Sequence, residues 1–493
     1  MTKVTLIDKR PSGEHSIDAR PVNSKDARAL YKKREQIYPK LAQGFFRNLK
    51  WVAMIVLLAI YYVTPWLRWD RGLGRPDQAV LIDFEGRRFY FFFIELWPQE
   101  VYYITGLLIL AAFGIFLSSA LFGRVWCGYA CPQTVWTDLY IYVERMIEGD
   151  RNARMRLDKA PMSVGKATKK LSKHAIWLLI AAMTGGAWVF YFADAPTLFF
   201  DIFAGRADVT AYISIGLLTF TTYALAGTMR EQVCTYMCPW PRIQAAMMDK
   251  DALSVTYRVD RGEPRGPHKK GESWDGRGDC IDCSQCVAVC PQGIDIRDGD
   301  QLECINCALC IDACDDIMRK VGRPTGLIAY DSYANETRRA QGKVAKICLL
   351  RPRTILYGVL FALVGLLMVY GLATRQTLDL NVIRDRSPPF VRLADGSFRN
   401  DYALKLINMT AADRRVSIEV SGLDGARLSA PALESNGAIV AGAGADSVTN
   451  VRMHVVAPNT VGDGSHRLTF TIRDLDSGET ATSASAFLAG EAP

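Results

Sequence analysis

Five stretches of the chain are apolar and nearly free of charge: residues 51–67, 101–122, 175–193, 209–227 and 354–373. A bilayer core about 30 Å thick needs about 20 helical residues to cross it. An isolated buried helix would explain one shorter run, but not five of this length, so the pattern predicts five transmembrane helices. Residues 89–93 are aromatic but too short to span; they predict an interfacial segment anchored by Trp97. From about residue 380 the period changes to two. Runs 402–409, 415–420, 448–456, 466–472 and 481–488 alternate apolar with polar and are separated by Gly, Asp, Asn and Ser. This predicts an antiparallel, immunoglobulin-like β-sandwich of about 110 residues. The fold class is a multi-domain membrane protein. An N-terminal tail (1–45), its first 25 or so residues read as disordered, precedes a four-helix membrane domain (46–254). A cysteine-rich domain (255–350), the fifth helix (354–373) and the sandwich (380–493) follow.

Charge orients these elements. Lys and Arg number twelve before the first helix, ten between helices two and three (123–173) and nineteen between helices four and five (229–353). The segment between helices one and two holds five, and that between three and four holds only Arg206. Positive residues stay on the cytoplasmic side, so the N-terminus, the two basic loops and the cysteine-rich domain are expected inside. Five crossings leave the sandwich outside, in the periplasm of a Gram-negative cell. The net charge of +8 is then a topology signal that calls for no nucleic-acid partner.

Eight of the thirteen cysteines change the picture most. Cys280, Cys283, Cys286 and Cys290, followed by Pro291, repeat as Cys304, Cys307, Cys310 and Cys314, followed by Asp315. Each run reads C-x2-C-x2-C-x3-C, the spacing of a two-cluster ferredoxin, in which the fourth cysteine of one run ligates the other run's cluster. Two [4Fe–4S] clusters are therefore expected. Cys280, Cys283, Cys286 and Cys314 would hold one, and Cys304, Cys307, Cys310 and Cys290 the other. Zinc prefers paired C-x2-C units set further apart, and disulfides do not suit a cytoplasmic segment.

A second pattern follows helices two and four. Cys127-Gly-Tyr-Ala-Cys131-Pro132 and Cys234-Thr-Tyr-Met-Cys238-Pro239 both read C-x-Y-x-C-P, behind Arg124 and Arg230. Residues 51–132 and 175–239 thus read as a duplicated hairpin. The i, i+4 spacing sets each pair on one helix face, with the proline stopping the helix. Two adjacent pairs would offer four thiolates to Cu(I), zinc or an iron–sulfur cluster; the bland alternative is packing of small apolar residues. Met237, Met247 and Met248 nearby, and the lone Cys348, read as packing residues. His15, His174 and His268 lack metal-like spacing. His454 and His466 read as ordinary strand residues, with exported copper binding as the alternative.

Taken together, both C-x-Y-x-C-P motifs, the eight-cysteine insert, one further helix and the sandwich resemble the cytochrome c oxidase accessory protein family, the FixG-like membrane polyferredoxins. The resemblance implies electron transfer in assembly of a cbb-type oxidase, with Cu(II) reduced to Cu(I). It implies a cytoplasmic electron donor, and oxidase subunits or copper-delivery proteins as partners at the bacterial inner membrane. It casts Cys127, Cys131, Cys234 and Cys238 as a copper or electron relay. A conduit to quinone or to a periplasmic reductase, and a non-catalytic assembly scaffold, are the alternatives.

Overall fold

The computed structural model describes residues 16–23, 35–72, 75–269, 271–430, 434–435 and 438–490. Two compact units divide the chain, 1–368 and 369–493. The first is built on α1 (Phe45–Val63), α2 (Tyr102–Phe122), α3 (Pro132–Glu148), α4 (Arg151–Lys159), α5 (Val164–Val189), α6 (Ala195–Ala204), α7 (Val209–Thr222), α8 (Trp240–Met247) and α13 (Pro352–Ala373). Among the described residues four helices are long and apolar enough to cross a membrane: Phe45–Trp66, Pro98–Phe122, Val209–Met229 and Pro352–Ala373. The expected span 175–193 is not among these four. Its helix α5 begins eleven residues early, with Lys166, Lys169, Lys170 and Lys173 in its first half, and stops at Val189.

Even so, α5 runs with the others. The Tyr223 hydroxyl, just past α7, lies 2.8 Å from His174 Nδ1 near the start of α5. At the other end Gly185 packs on the backbone of Ile215. Thus α5 and α7 are antiparallel. Tyr61, late in α1, donates to the Thr184 carbonyl, so α1 runs parallel to α5. Met368 of α13 packs on Gly106 near the start of α2, and Arg351 donates to the Ala120 carbonyl near its end. Thus α2 and α13 are also antiparallel. The segment joining α1 to α2 folds into a sheet of β1 (Val80–Asp83), β2 (Arg88–Phe91) and β3 (Ile94–Leu96). Periodicity did not show this sheet. Trp97 is no exposed anchor: it is 4% exposed, with the Arg88 guanidinium 4.1 Å above its ring.

The cysteine-rich part pairs β4 (Ser254–Tyr257) with β5 (Ile328–Asp331), in register Ser254↔Asp331 to Tyr257↔Ile328. It carries α9 (Val259–Gly262), α10 (Gln285–Val289), α11 (Leu309–Lys320) and α12 (Tyr333–Ala340). Residues 1–15 of the tail lie outside the described residues. Ile17 N–H donates to the Cys283 carbonyl and Val22 N–H to that of Gly293, so this stretch of the tail is ordered against the cysteine loops.

The described residues of the second unit form a sandwich of two five-stranded sheets. One joins β6 (Leu378–Arg384), β7 (Val391–Arg392), β8 (Phe398–Asn408), β10 (Arg427–Ser429) and β13 (Ser447–Ala457). The other joins β9 (Arg414–Ser421), β11 (Glu434–Ser435), β12 (Ala438–Ala443), β14 (Gly464–Asp474) and β15 (Thr480–Ala489). Every second residue of β8, and of β14 from Leu468 onward, is buried, and Leu404, Met453, Phe470 and Phe487 meet in the core. His454 binds Asp401 at 2.7 Å and His466 the Gly462 carbonyl at 2.6 Å. They sit in different sheets.

Candidate metal centres

Each four-cysteine run curls on itself through backbone that L-residues rarely adopt. Asp282 (φ 53°) and Ser284 (φ 55°) flank Cys283; Asn306 (φ 51°) and Ala308 (φ 59°) flank Cys307. Strain of about 1–3 kcal/mol per such residue persists only where the surroundings impose it, and it gathers at binding sites. Here it bends each loop around a hollow. One hollow, ≈ 380 Å³, is lined by Cys290, Cys304, Cys307 and Cys310, with Cys286 at its edge. The other, ≈ 350 Å³, is lined by Cys280, Cys283, Cys286 and Cys314. The fourth cysteine of each run thus faces the other run's hollow, as the spacing predicts.

The donor set suits iron–sulfur clusters. All four donors in each hollow are thiols, and burial pushes Cys290 and Cys304 up to about 12, a cost that a bound metal removes by taking the thiolate. Arg297 lies beside the first run, paired with Asp282 at 2.6 Å and with Asp295 at 2.6 Å. It opposes the rise of the Cys286 thiol.

The C-x-Y-x-C-P motifs depart from the sequence reading. Cys127 sits in a π-helical turn, Trp126–Ala130, while Cys131 is extended (φ −62°, ψ 127°) and Pro132 opens α3. The second copy repeats this: a π-turn Val233–Met237, an extended Cys238 and then α8. The pairs therefore do not share an α-helical face. The residue before proline is driven to extended backbone, and the proline starts a helix as well as ending one. Both turns open on a cavity of ≈ 520 Å³ lined by Cys127, Cys131, Cys234 and Cys238. Met237, Met247 and Met248 do not line it. Burial pushes Cys127 and Cys234 up to about 12, the neighbouring cysteines add to the rise, and Arg124 opposes it at Cys127.

This cavity abuts the ferredoxin. Cys304 lines both the ≈ 380 Å³ hollow and the ≈ 520 Å³ cavity. Arg124, 7% exposed, donates to the Leu302 and Cys304 carbonyls, and Tyr129 donates to the Cys307 carbonyl at 3.1 Å. The matching Arg230 turns instead to Glu144 at 2.9 Å. Glu144 also meets Arg154 (2.9 Å) and Lys173 (3.4 Å). Burial alone would raise its carboxyl; the three cations overcome that and hold it down at about 2. Sequence reasoning missed this buried network and Gln244, whose Oε1 lies 3.1 Å from Cys127 Sγ. The early placement of Arg124 and Arg230 in each motif was the available signal for the network; Gln244 gave none.

Helices of bilayer length joined to paired cysteine hollows define a membrane-bound iron–sulfur protein of the polyferredoxin class. Residues 229–333 match the 4Fe–4S dicluster domain family, residues 104–147 a 4Fe–4S binding domain, and residues 368–490 the immunoglobulin-like fold at the C-terminus of FixG. The nitrogen fixation protein FixG of Rhizobium meliloti is 52% identical over 473 residues, covering 90% of each chain. Proteins RdxB and RdxA of Cereibacter sphaeroides are 52% and 51% identical, covering 87% and 90% of this chain and 90% and 93% of their own. The chain belongs to the FixG family.

Proposed function

We propose that the protein carries single electrons from a cytoplasmic donor, through its ferredoxin part, to the membrane edge, and that Cu(II) is the substrate reduced there during assembly of a cbb-type oxidase. The observation that carries this reading is the shared wall at Cys304. Bound clusters supply one-electron carriage. Cys280, Cys283, Cys286 and Cys314 hold one and Cys304, Cys307, Cys310 and Cys290 the other. Arg124 and Tyr129 clamp the second run against the four-thiol cavity. Each Cu(II) takes one electron and leaves as Cu(I), the state that soft sulfur donors favour.

The excess of Lys and Arg before α1, between α2 and α5 and between α7 and α13 supports a cytoplasmic ferredoxin. The turns that follow α2 and α7 line one cavity, so the chain between them leaves that face and returns, and we read α5 as the crossing despite its lysines. On this reading five crossings leave the sandwich in the periplasm, with the protein in the inner membrane. There it can meet oxidase subunits or copper-delivery proteins. The test is anaerobic reduction of Cu(II) by the dithionite-reduced, full-length protein in detergent, followed with a Cu(I) chelator. One Cu(I) should form per electron stored. Unchanged rates after Cys127, Cys131, Cys234 and Cys238 are all replaced by serine would remove the membrane-edge cavity from the route.

A further inference from the structure

We infer that Cys127, Cys131, Cys234 and Cys238 together hold a third iron–sulfur cluster, of the four-iron class, in the cavity beside the ferredoxin. This rests on the reading above that electrons leave through that wall, and it assigns what the cavity holds.

Spacing argues against a single ion. Four thiolates on one zinc at about 2.3 Å bring their sulfurs within about 4 Å of one another. Among the described residues no group of three or more Cys, His, Asp or Glu is placed to hold a single metal ion. The eight ferredoxin cysteines, whose spacing is that of cluster ligands, are no exception. Like the two ferredoxin hollows, the third cavity has several cysteines in its wall: Cys127, Cys131, Cys234 and Cys238, with Cys304 on the ferredoxin side. The segment matching a 4Fe–4S binding domain, 104–147, contains only Cys127 and Cys131. Two thiols cannot complete a cube, and the cavity supplies the missing pair from Cys234 and Cys238.

Gln244 gives an independent sign. Its side chain is fully buried, it faces Cys127 Sγ, and its Nε2 makes no hydrogen bond among the described residues. Facing a thiol, the amide accepts the S–H through Oε1. Facing a metal-bound sulfur, which only accepts, the amide turns over and Nε2 donates, so both of its ends suit the site. Such N–H···S bonds raise a cluster's potential. On binding, the four thiols lose their protons. Thereafter the cluster gains one electron and gives one up, with no further reactant.

The test is iron and acid-labile sulfide in anaerobically purified full-length protein. About twelve of each per chain are expected, falling to about eight in the Cys127→Ser, Cys234→Ser double variant while the ferredoxin EPR signal persists. A parent count of about eight, or copper or zinc in place of the iron lost, overturns the proposal; the parent count decides even if the double variant does not fold. Gln244→Leu should keep the iron and lower the potential of the signal that the double variant lacks. An unmoved potential overturns the role given to Gln244. Twelve irons without Cu(II) reduction would sink the copper reading alone, and eight irons with reduction intact would sink the third cluster alone.

Discussion

The ferredoxin hollows and the membrane-edge cavity present the same donors, yet they are held by opposite means. Each ferredoxin loop is a short run bent by its own backbone at Asp282, Ser284, Asn306 and Ala308. The membrane-edge cavity is assembled from two helix breaks far apart in sequence. Its shape depends on α3, α5 and the segment after α7, which are tied by Glu144 to Arg154, Lys173 and Arg230. One site is written into a loop, the other into the packing of a bundle. Changes remote from any sulfur should therefore disturb the second and spare the first.

The largest effect belongs to the ligands. Cys286→Ala, at a cysteine 8% exposed in the ferredoxin core, should remove at least about four irons per chain and one EPR signal, while the helices keep their far-UV dichroism. Iron assay and EPR check it. Retention of all iron would show that the loop does not hold its cluster through this cysteine.

Next is Glu144→Gln. Removing the acid takes the carboxylate from buried Arg154 and Arg230 and leaves Lys173 to Glu148, a loss of about 3–5 kcal/mol that should appear in the detergent melt of the bundle while ferredoxin iron is unchanged. Because the folded carboxyl sits near 2 against an ordinary 4.5, its contribution is complete above 4.5 and disappears as pH falls from there toward 2. The melting temperature of the parent should drop through that window, and that of the variant should drop less. Parallel curves would mean that the cations find other partners.

The same contrast explains what was legible beforehand. Ligands grouped by a loop appear as a spacing, so the eight ferredoxin cysteines could be sorted into two sets from the chain alone. The long strands β8, β9, β13, β14 and β15 were legible too, because alternate burial leaves a period of two, whereas β6, β7, β10, β11 and β12 were not read from the sequence. The motif pairs were visible as a repeat, but their geometry was not. A π-turn and an extended pre-proline cysteine leave no mark that separates them from an α-helix, and Gln244 reaches Cys127 only through tertiary packing. The early start of α5 was hidden because lysines that look like a loop are paired: Lys173 with Glu144 and Glu148, and Lys170 with Glu148 and Asp158.

A smaller effect should separate contact from conformation. A methyl on Gly128 would lie 2.6 Å from the Ile305 carbonyl oxygen, so Gly128→Ala wedges the first motif away from the ferredoxin at a cost of about 1–3 kcal/mol. Gly186 in α5 has nothing within 4 Å of that position, and Gly186→Ala should be neutral or slightly stabilising. Equal melts for the two variants would show that the motif and the ferredoxin do not bear on each other.

The smallest effect tests the joint between the two regions. Asp312 of α11, 5% exposed, accepts from Phe46 N–H at 3.2 Å and Arg47 N–H at 2.7 Å. The ferredoxin thereby caps the first turn of α1, where N–H groups lack helical partners and the helix dipole favours an anion. Asp312→Asn keeps the shape and one acceptor but loses the charge and the second acceptor, which should cost about 1 kcal/mol. The loss should fall on the start of α1, as faster hydrogen exchange at Phe46 and Arg47, with cluster content and the far end of α1 unaffected. Unchanged exchange would leave the hold on α1 to the Arg47 pair with Asp138, at 2.7 Å, an attachment within the bundle that does not involve the ferredoxin.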